Sequence, residues 1–189
     1  MIQFYKPNPK VTGSACSFWL NKDKSIMASL IKQDSWNEKT RTGSFSKNKD
    51  NPRGKVVLKL SRIEIAGFID SLETNRECSV YHKSEKQSLQ VRFGPYMDKV
   101  TQAQKGFSFS VTKNDNQDST IKIGFVIGFS FPEARLLKHD LERFLAESLV
   151  LKSIDVRPEN QEDPPQEIAR KTPPKEAAPT DSADLDDSW

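Results

Sequence analysis

Two stretches of this chain alternate as strands and then pass directly into a helical pattern. That junction is the strongest constraint on how the chain can fold. From Lys55 to Leu60, Val56, Leu58 and Leu60 point one way while Lys55, Val57 and Lys59 point the other. Ser61-Arg62-Ile63-Glu64 follows with capping-box spacing, and Ile63, Ala66, Ile69 and Leu72 continue it as an apolar helix face. The pattern predicts a helix over about 62 to 73, with Gly67 as a weak point. The second stretch, Thr120 to Phe129, places Ile121, Ile123, Phe125, Ile127 and Phe129 inside and leaves Lys122, Gly124, Val126 and Gly128 as a nearly bare face. Its glycines mark a bend or a close approach of another backbone. Pro132 and Glu133 then open a long amphipathic helix carrying Ala134, Leu137, Leu141, Phe144, Leu145 and Ser148 through Leu149, packed across the sheet or against a second subunit.

The remaining strands read as hairpins. Ala15 to Leu20 and Ser25 to Gln33 flank the turn Asn21-Lys22-Asp23-Lys24, and Asp34 to Gly54 is too polar to be core. Ser79 to Lys83 and Leu89 to Phe93 flank Ser84-Glu85-Lys86-Gln87, Gly94-Pro95-Tyr96 reads as a turn, and Phe107 to Lys113 alternates. The expected fold is α+β, two antiparallel β-units each closed by a helix. An oligonucleotide-binding (OB-fold) β-barrel is the alternative. It fits less well, because it does not call for the helix from 132 to 149.

Composition separates a body, 1–156, from a tail, 157–189. Six of the eleven prolines lie in the tail, which lacks Phe, Tyr, Val and Met. Such a segment cannot bury enough apolar surface to offset the entropy of ordering, so a disordered Pro-rich linker and acidic tail are expected. Residues 1–60 hold twelve Lys/Arg and four Asp/Glu, residues 61–156 thirteen of each, and the tail four and nine. Positive charge is therefore concentrated in the N-terminal part, which points to a polyanionic partner. Membrane spans are excluded by the short apolar runs, and the first residues do not read as a signal peptide. Cys16, Cys78, His82 and His139 lack the spacing of a metal site or disulfide scaffold, so no metal or cofactor is expected and the location is expected to be cytoplasmic. No phosphate-loop, dinucleotide, zinc-protease or nucleophile-elbow motif is present, and Glu64, Asp70, Glu73 and Glu77 read as a solvated helix face; an enzyme is not expected.

Binding a single strand without sequence preference needs cations along the phosphates and aromatic faces for the bases. Lys32, Lys39, Arg41, Lys47, Lys49, Arg53, Lys55 and Lys59 are interleaved with Trp36 and Phe45. The competing reading is a solvated loop whose aromatics fold back as a lid over the sheet edge. Lys22 and Lys24 in the first turn extend the candidate surface. Phe18 and Trp19 are adjacent, so one faces in and one out; the sequence leaves open which, and Trp19 is carried as the candidate. Tyr81 and Lys83 share a strand face, as do Gln90 and Arg92, while His82 reads as a satisfied core or edge histidine.

Strand-rich units closed by a helix, with Gly54-Lys55-Val56-Val57-Leu58-Lys59-Leu60-Ser61 running into the first of them, resemble the whirly-like single-stranded nucleic-acid-binding proteins. These include the plant whirly proteins, the trypanosomatid guide-RNA-binding proteins and the positive-cofactor-four coactivators. The resemblance covers about residues 12–151. It implies binding of single strands by outer sheet faces and hairpins, Lys55 and Lys59 as surface contacts, and a homo-oligomer associating through its helices. Asp181 to Trp189, with Asp184, Leu185, Asp186, Asp187 and Trp189, resembles the acidic tip of bacterial and phage replication single-stranded DNA-binding proteins, with Trp in place of their terminal Phe. This implies a bacterial or phage-infected cytoplasm. It also implies a tail that competes with DNA for the basic groove and docks replication or recombination partners. The expectation is thus a sequence-independent single-stranded DNA-binding protein serving replication, recombination or repair; an RNA-binding or transcription-regulating protein of the same fold is the alternative.

Overall fold

The computed structural model describes residues 1–117 and 121–150. In chain order the elements are β1 (Ile2–Lys6), β2 (Ser14–Leu20), β3 (Ile26–Lys32), β4 (Ser35–Asn37), β5 (Thr42–Ser44), β6 (Lys55–Leu60), α1 (Arg62–Thr74), β7 (Cys78–Lys83), β8 (Gln87–Met97), β9 (Gln104–Asp115), β10 (Lys122–Phe129) and α2 (Phe131–Leu149). Two four-stranded sheets form, ordered β1-β2-β3-β6 and β10-β9-β8-β7, and β4 and β5 make a small separate hairpin. All pairings are antiparallel. The architecture is α+β, with two sheets in place of the single five-stranded unit an oligonucleotide-binding barrel requires.

Side chains on alternate positions face opposite sides of a strand, so the register sorts each sheet into an inner and an outer face. In the first sheet the inner rows are Ile2–Phe18–Ala28–Leu58 and Phe4–Cys16–Leu30–Val56. In the second they are Cys78–Phe93–Phe109–Ile127 and Val80–Val91–Val111–Phe125. The two inner faces share one core: Phe18 lies 5.4 Å from Phe109 and Phe4 lies 4.9 Å from Phe129, measured between ring centroids. Cys16 is buried there, and burial pushes its thiol well above the usual range.

Helix α1 starts on a complete capping box, Ser61 with Glu64, and at the start of α2 the Ser130 N–H and hydroxyl both donate to Glu133. These glutamates also tie each helix to the first strand of the opposite sheet. Glu64 Oε1 lies 2.7 Å from His82 Nε2 on β7, and Lys6 on β1 donates to both oxygens of Glu133 at 2.5 and 2.6 Å. His82 is thus the satisfied edge histidine expected. Helix α1 ends on Asn75 in the left-handed region, a conformation Asn tolerates, with its N–H donating to Ser71 O. The helices meet through Arg62, which donates to Ser148, and through Lys138, 2.8 Å from Glu73.

Helix α2 buries the predicted face, Ala134, Leu137, Leu141, Phe144 and Ser148. Helix α1 does not. Ile65, Phe68 and Ser71 are buried, while Ile63 is 84% exposed and Ala66 is also exposed; only Ile69 and Leu72 of the predicted stripe touch the core. Phe68 decides the rotation, because its ring stacks on Phe93 at 4.9 Å and also meets Phe109. Gly67 is a close approach: a Cβ there would lie 2.8 Å from Cys78 Sγ. Glu64 is likewise a paired, half-buried group instead of part of a solvated face.

Two further differences concern the strands. β1 is absent from the sequence reading, and Gly94-Pro95-Tyr96 continues β8 because it pairs with Phe107 and its neighbours on β9. The hairpin is irregular at Tyr96/Met97, and opposite it Gly106 has φ 146°, where a Cβ would strike Phe129 O at 1.9 Å. Gly124 has open space where its Cβ would stand, and a Cβ on Gly128 would have only Phe107 O, 3.9 Å away. Among the described residues they mark a bare outer face with no close backbone approach.

Candidate nucleic-acid interface

The first sheet's outer face is a floor of small side chains between larger ones. Ala15, Ser17 and Ser29 occupy the central strands β2 and β3, with Gln3 and Tyr5 on edge strand β1 and Lys55, Val57 and Lys59 on edge strand β6. Phe18 is fully buried, so Trp19 turns outward, half-buried, in the row Trp19–Met27–Lys59. At that end the β2–β3 turn holds Lys22 and Lys24, closed by Asn21 N–H donating to Ser25 O and Lys24 N–H to Asn21 O. Lys59 Nζ is 3.9 Å from Asp23, whose carboxyl is held below its ordinary range first by the Ser25 hydroxyl and then by further hydrogen bonds and Lys59.

The polar stretch 34–54 is an ordered appendage to this sheet. The side-chain carbonyl of buried Gln33 accepts from Asn8 and Gly13 N–H, and its amide donates to the carbonyls of Asn8 and Ser35. This anchors the β4–β5 hairpin, which carries Trp36 and puts Lys39 and Arg41 at its exposed tip. Trp36 Nε1 is buried and, among the described residues, has no hydrogen-bond partner. Asp34 accepts from Lys47 N–H, and Asn48 donates to Lys32 O, which fixes the return toward β6. Asp34 stays below the usual carboxylate range: burial pushes it up, but hydrogen bonds from Ser35, Lys47 and Ser44 outweigh that. Phe45 folds back edge-on against Tyr5, centroids 6.0 Å apart, as the lid reading anticipated, while Lys47, Lys49 and Arg53 remain exposed.

On the second sheet, Tyr81, Lys83 and Arg92 all stand on the outer face, in the rows Tyr81–Gln90–Thr112–Gly124, Lys83–Ser88–Asn114–Lys122 and Ser79–Arg92–Ser110–Val126. The surface is rich in hydroxyls. Arg92 is 4.0 Å from Glu77, a loose contact.

The sequence-derived residues thus fall into two groups, one on the first sheet and its appendage, the other on the second sheet. Lys32 joins neither: it shares the inward register of β3 and lies over the Phe125 ring, 5.0 Å from its centroid. There it lines a cleft of about 320 Å³ with Gly13, Gln33, Gly124 and Val126, where β3 approaches β10. Among the described residues Lys22, Lys24, Lys39, Arg41, Lys47, Lys49, Arg53, Lys55 and Lys83 have no carboxylate within ion-pair distance. Tyr5 and Lys122 also stand on these outer faces and are not among the candidates drawn from the sequence. The alternation Ile2-Gln3-Phe4-Tyr5 was the available signal for Tyr5, which is 59% exposed.

No group of three or more His, Cys, Asp or Glu side chains among the described residues is placed to hold a metal ion, and no helix there is long and apolar enough to cross a membrane. The tail residues Asp184, Leu185, Asp186, Asp187 and Trp189 lie outside the described residues.

No family model and no curated protein matches the sequence. The structure is similar to crystal structures of two whirly proteins of Arabidopsis thaliana. For WHY3 the TM-score is 0.53 at 15% identity, covering 76% of this chain and 85% of that one. For WHY1 it is 0.52 at 17%, covering 76% and 87%. At this identity the likeness shows the fold, an α+β arrangement of antiparallel sheets.

Proposed function

We propose that this chain is a non-catalytic, sequence-independent single-stranded DNA-binding protein that protects DNA intermediates in replication, recombination or repair. The observation that carries this reading is the set of cations without carboxylate partners on the first sheet and its 34–54 appendage, together with the outward Tyr5 and Trp19 rings. Phosphates supply the missing counter-charges, and exposed rings offer the sequence-tolerant faces on which bases stack. The whirly-like fold and the family resemblance support the same class of ligand. In this reading Asp184, Leu185, Asp186, Asp187 and Trp189 form a segment that competes with the strand for the basic surface. Once released, Leu185 and Trp189 anchor in an apolar, basic-rimmed pocket of a replication or recombination partner. Subunits associate through their helices.

The test is binding of labelled single-stranded DNA, duplex DNA and RNA across a salt series, with the full chain and a version ending at Val156. The expected result is salt-sensitive, sequence-indifferent preference for single-stranded DNA, stronger in the shortened protein. Preference for RNA would favour an RNA-binding or transcription-regulating protein of this fold. Equal binding to duplex would reduce the basic surface to a general polyanion site, and no binding would sink the proposal.

A further inference from the structure

The two sheets correspond in register as well as in topology. Lys55 on β6 precedes Ser61 by as many residues as Gly124 on β10 precedes Ser130, and both serines cap the following helix. Tracing the pairings back from those two positions gives the rows Lys55–Ile31–Ala15–Tyr5 and Gly124–Thr112–Gln90–Tyr81. Both rows end on a tyrosine of the first strand, facing outward. The residue after each tyrosine, Lys6 or His82, holds the first-turn glutamate of the opposite helix. The equivalence is therefore fixed at three points: helix N-terminus, strand register and the contact to the glutamate of the opposite helix.

From this we infer that Tyr5 and Tyr81 are equivalent base-stacking stations, one on each sheet, so that one chain holds a single strand at two places related by an internal two-fold repeat. The inference rests on the single-strand-binding reading above. Both rings are far more exposed than the core explains, 59% and 62%, on edge strands where a nucleic acid has free access. Cations stand on both faces, Lys55 and Lys59 on the first sheet, Arg92 and Lys122 on the second. Arg53 and Lys122 occupy equivalent positions two residues before Lys55 and Gly124, so a cation recurs at the opposite edge of each sheet from its tyrosine. Phe45 stands edge-on to Tyr5 only, adding a second aromatic wall to the first station.

The experiment compares full-length wild type with Tyr5→Leu, Tyr81→Leu, the double variant and the conservative Tyr5→Phe and Tyr81→Phe, on oligothymidine and on an abasic oligonucleotide of equal length. Each leucine variant should bind oligothymidine about 5- to 150-fold more weakly, the loss of one stacked base. The double variant should lose close to the product of the two, the phenylalanine variants should stay near wild type, and all should bind the abasic strand alike. Thermal unfolding should shift little, because neither ring packs in the core and Tyr5 gives up only its contacts with Phe45 and Gln3. Wild-type binding that no leucine substitution weakens would overturn the stations while leaving the single-strand reading intact. A leucine variant that weakens abasic and thymidine strands equally would also overturn them. A wild type that binds neither strand removes the parent reading itself.

Discussion

The two halves of this molecule share a plan but differ in how the third strand of each sheet reaches the fourth. In the second half β9 joins β10 across a short connection, residues 116–121; in the first, β3 joins β6 through residues 33–54, which contain the β4–β5 hairpin. Yet Lys32 N–H already donates to Gly54 O, so a tight turn would close that gap. The long connection is an insertion on a common plan. It carries Trp36, Lys39, Arg41, Phe45, Lys47, Lys49 and Arg53, much of the candidate interface. The repeated frame supplies the faces, while the insertion supplies charge and extra aromatic surface.

The frame itself cannot be divided, because each helix serves the other half. Phe68 of α1 packs on Phe93 and Phe109 of the second sheet. Phe68→Ala should destabilise the protein by about 3–5 kcal/mol, with a single unfolding transition in denaturant. Ile63→Ala on the same helix should change stability by less than about 0.5 kcal/mol. Two separate transitions for Phe68→Ala would mean that the halves fold independently. Replacing 33–53 by a two-residue turn should leave the fold intact by circular dichroism and lower affinity for a single strand by about tenfold or more. The log–log salt slope should fall by about 0.7 for each phosphate contact removed. Unchanged affinity would assign binding to the frame alone.

The cross-links offer a finer comparison. Burial raises the pKa of Glu133, but hydrogen bonds from Lys6 and Ser130 outweigh it and hold the carboxyl below its ordinary range. A carboxylate with a depressed folded-state pKa stabilises above its unfolded value, and that contribution disappears as pH falls through the folded one. Wild type should therefore lose stability on acidification below about pH 4.5, and Glu133→Gln should flatten that part of the profile. The effect should not exceed about 1 kcal/mol, since Lys6 and Glu133 are both partly exposed and water screens the pair. The smallest effect concerns Gly67. Gly67→Ala alone should be neutral to destabilising, because of the 2.8 Å approach to Cys78 Sγ. In a Cys78→Ala background the same change should gain up to about 1 kcal/mol from helix propensity.

Much of the frame was legible because alternation and capping are local signals. Val56, Leu58, Leu60 and the stripe from Ala134 to Ser148 needed no tertiary information. The α1 face was not, since 63/66/69 and 65/68/72 both fit a helical period. Only the partner rings Phe93 and Phe109 select the second. β1 was missed because a five-residue strand before Pro7 and Pro9 gains its identity from pairing with β2. Tyr5 was lost with it. The cationic residues of 34–54 were visible as composition, but the inward register of Lys32 and the fold of Phe45 onto Tyr5 depend on contacts distant in sequence.

On the proposed reading, a single strand lies on the outer sheet faces and the 34–54 insertion. The most direct measurement is photocrosslinking of the full-length protein to an iodouracil-substituted oligonucleotide, with the attached residues mapped by mass spectrometry. Crosslinks should concentrate on Tyr5, Trp19, Tyr81 and the aromatics of the insertion. Crosslinks confined to α2, or none at saturating DNA, would contradict it.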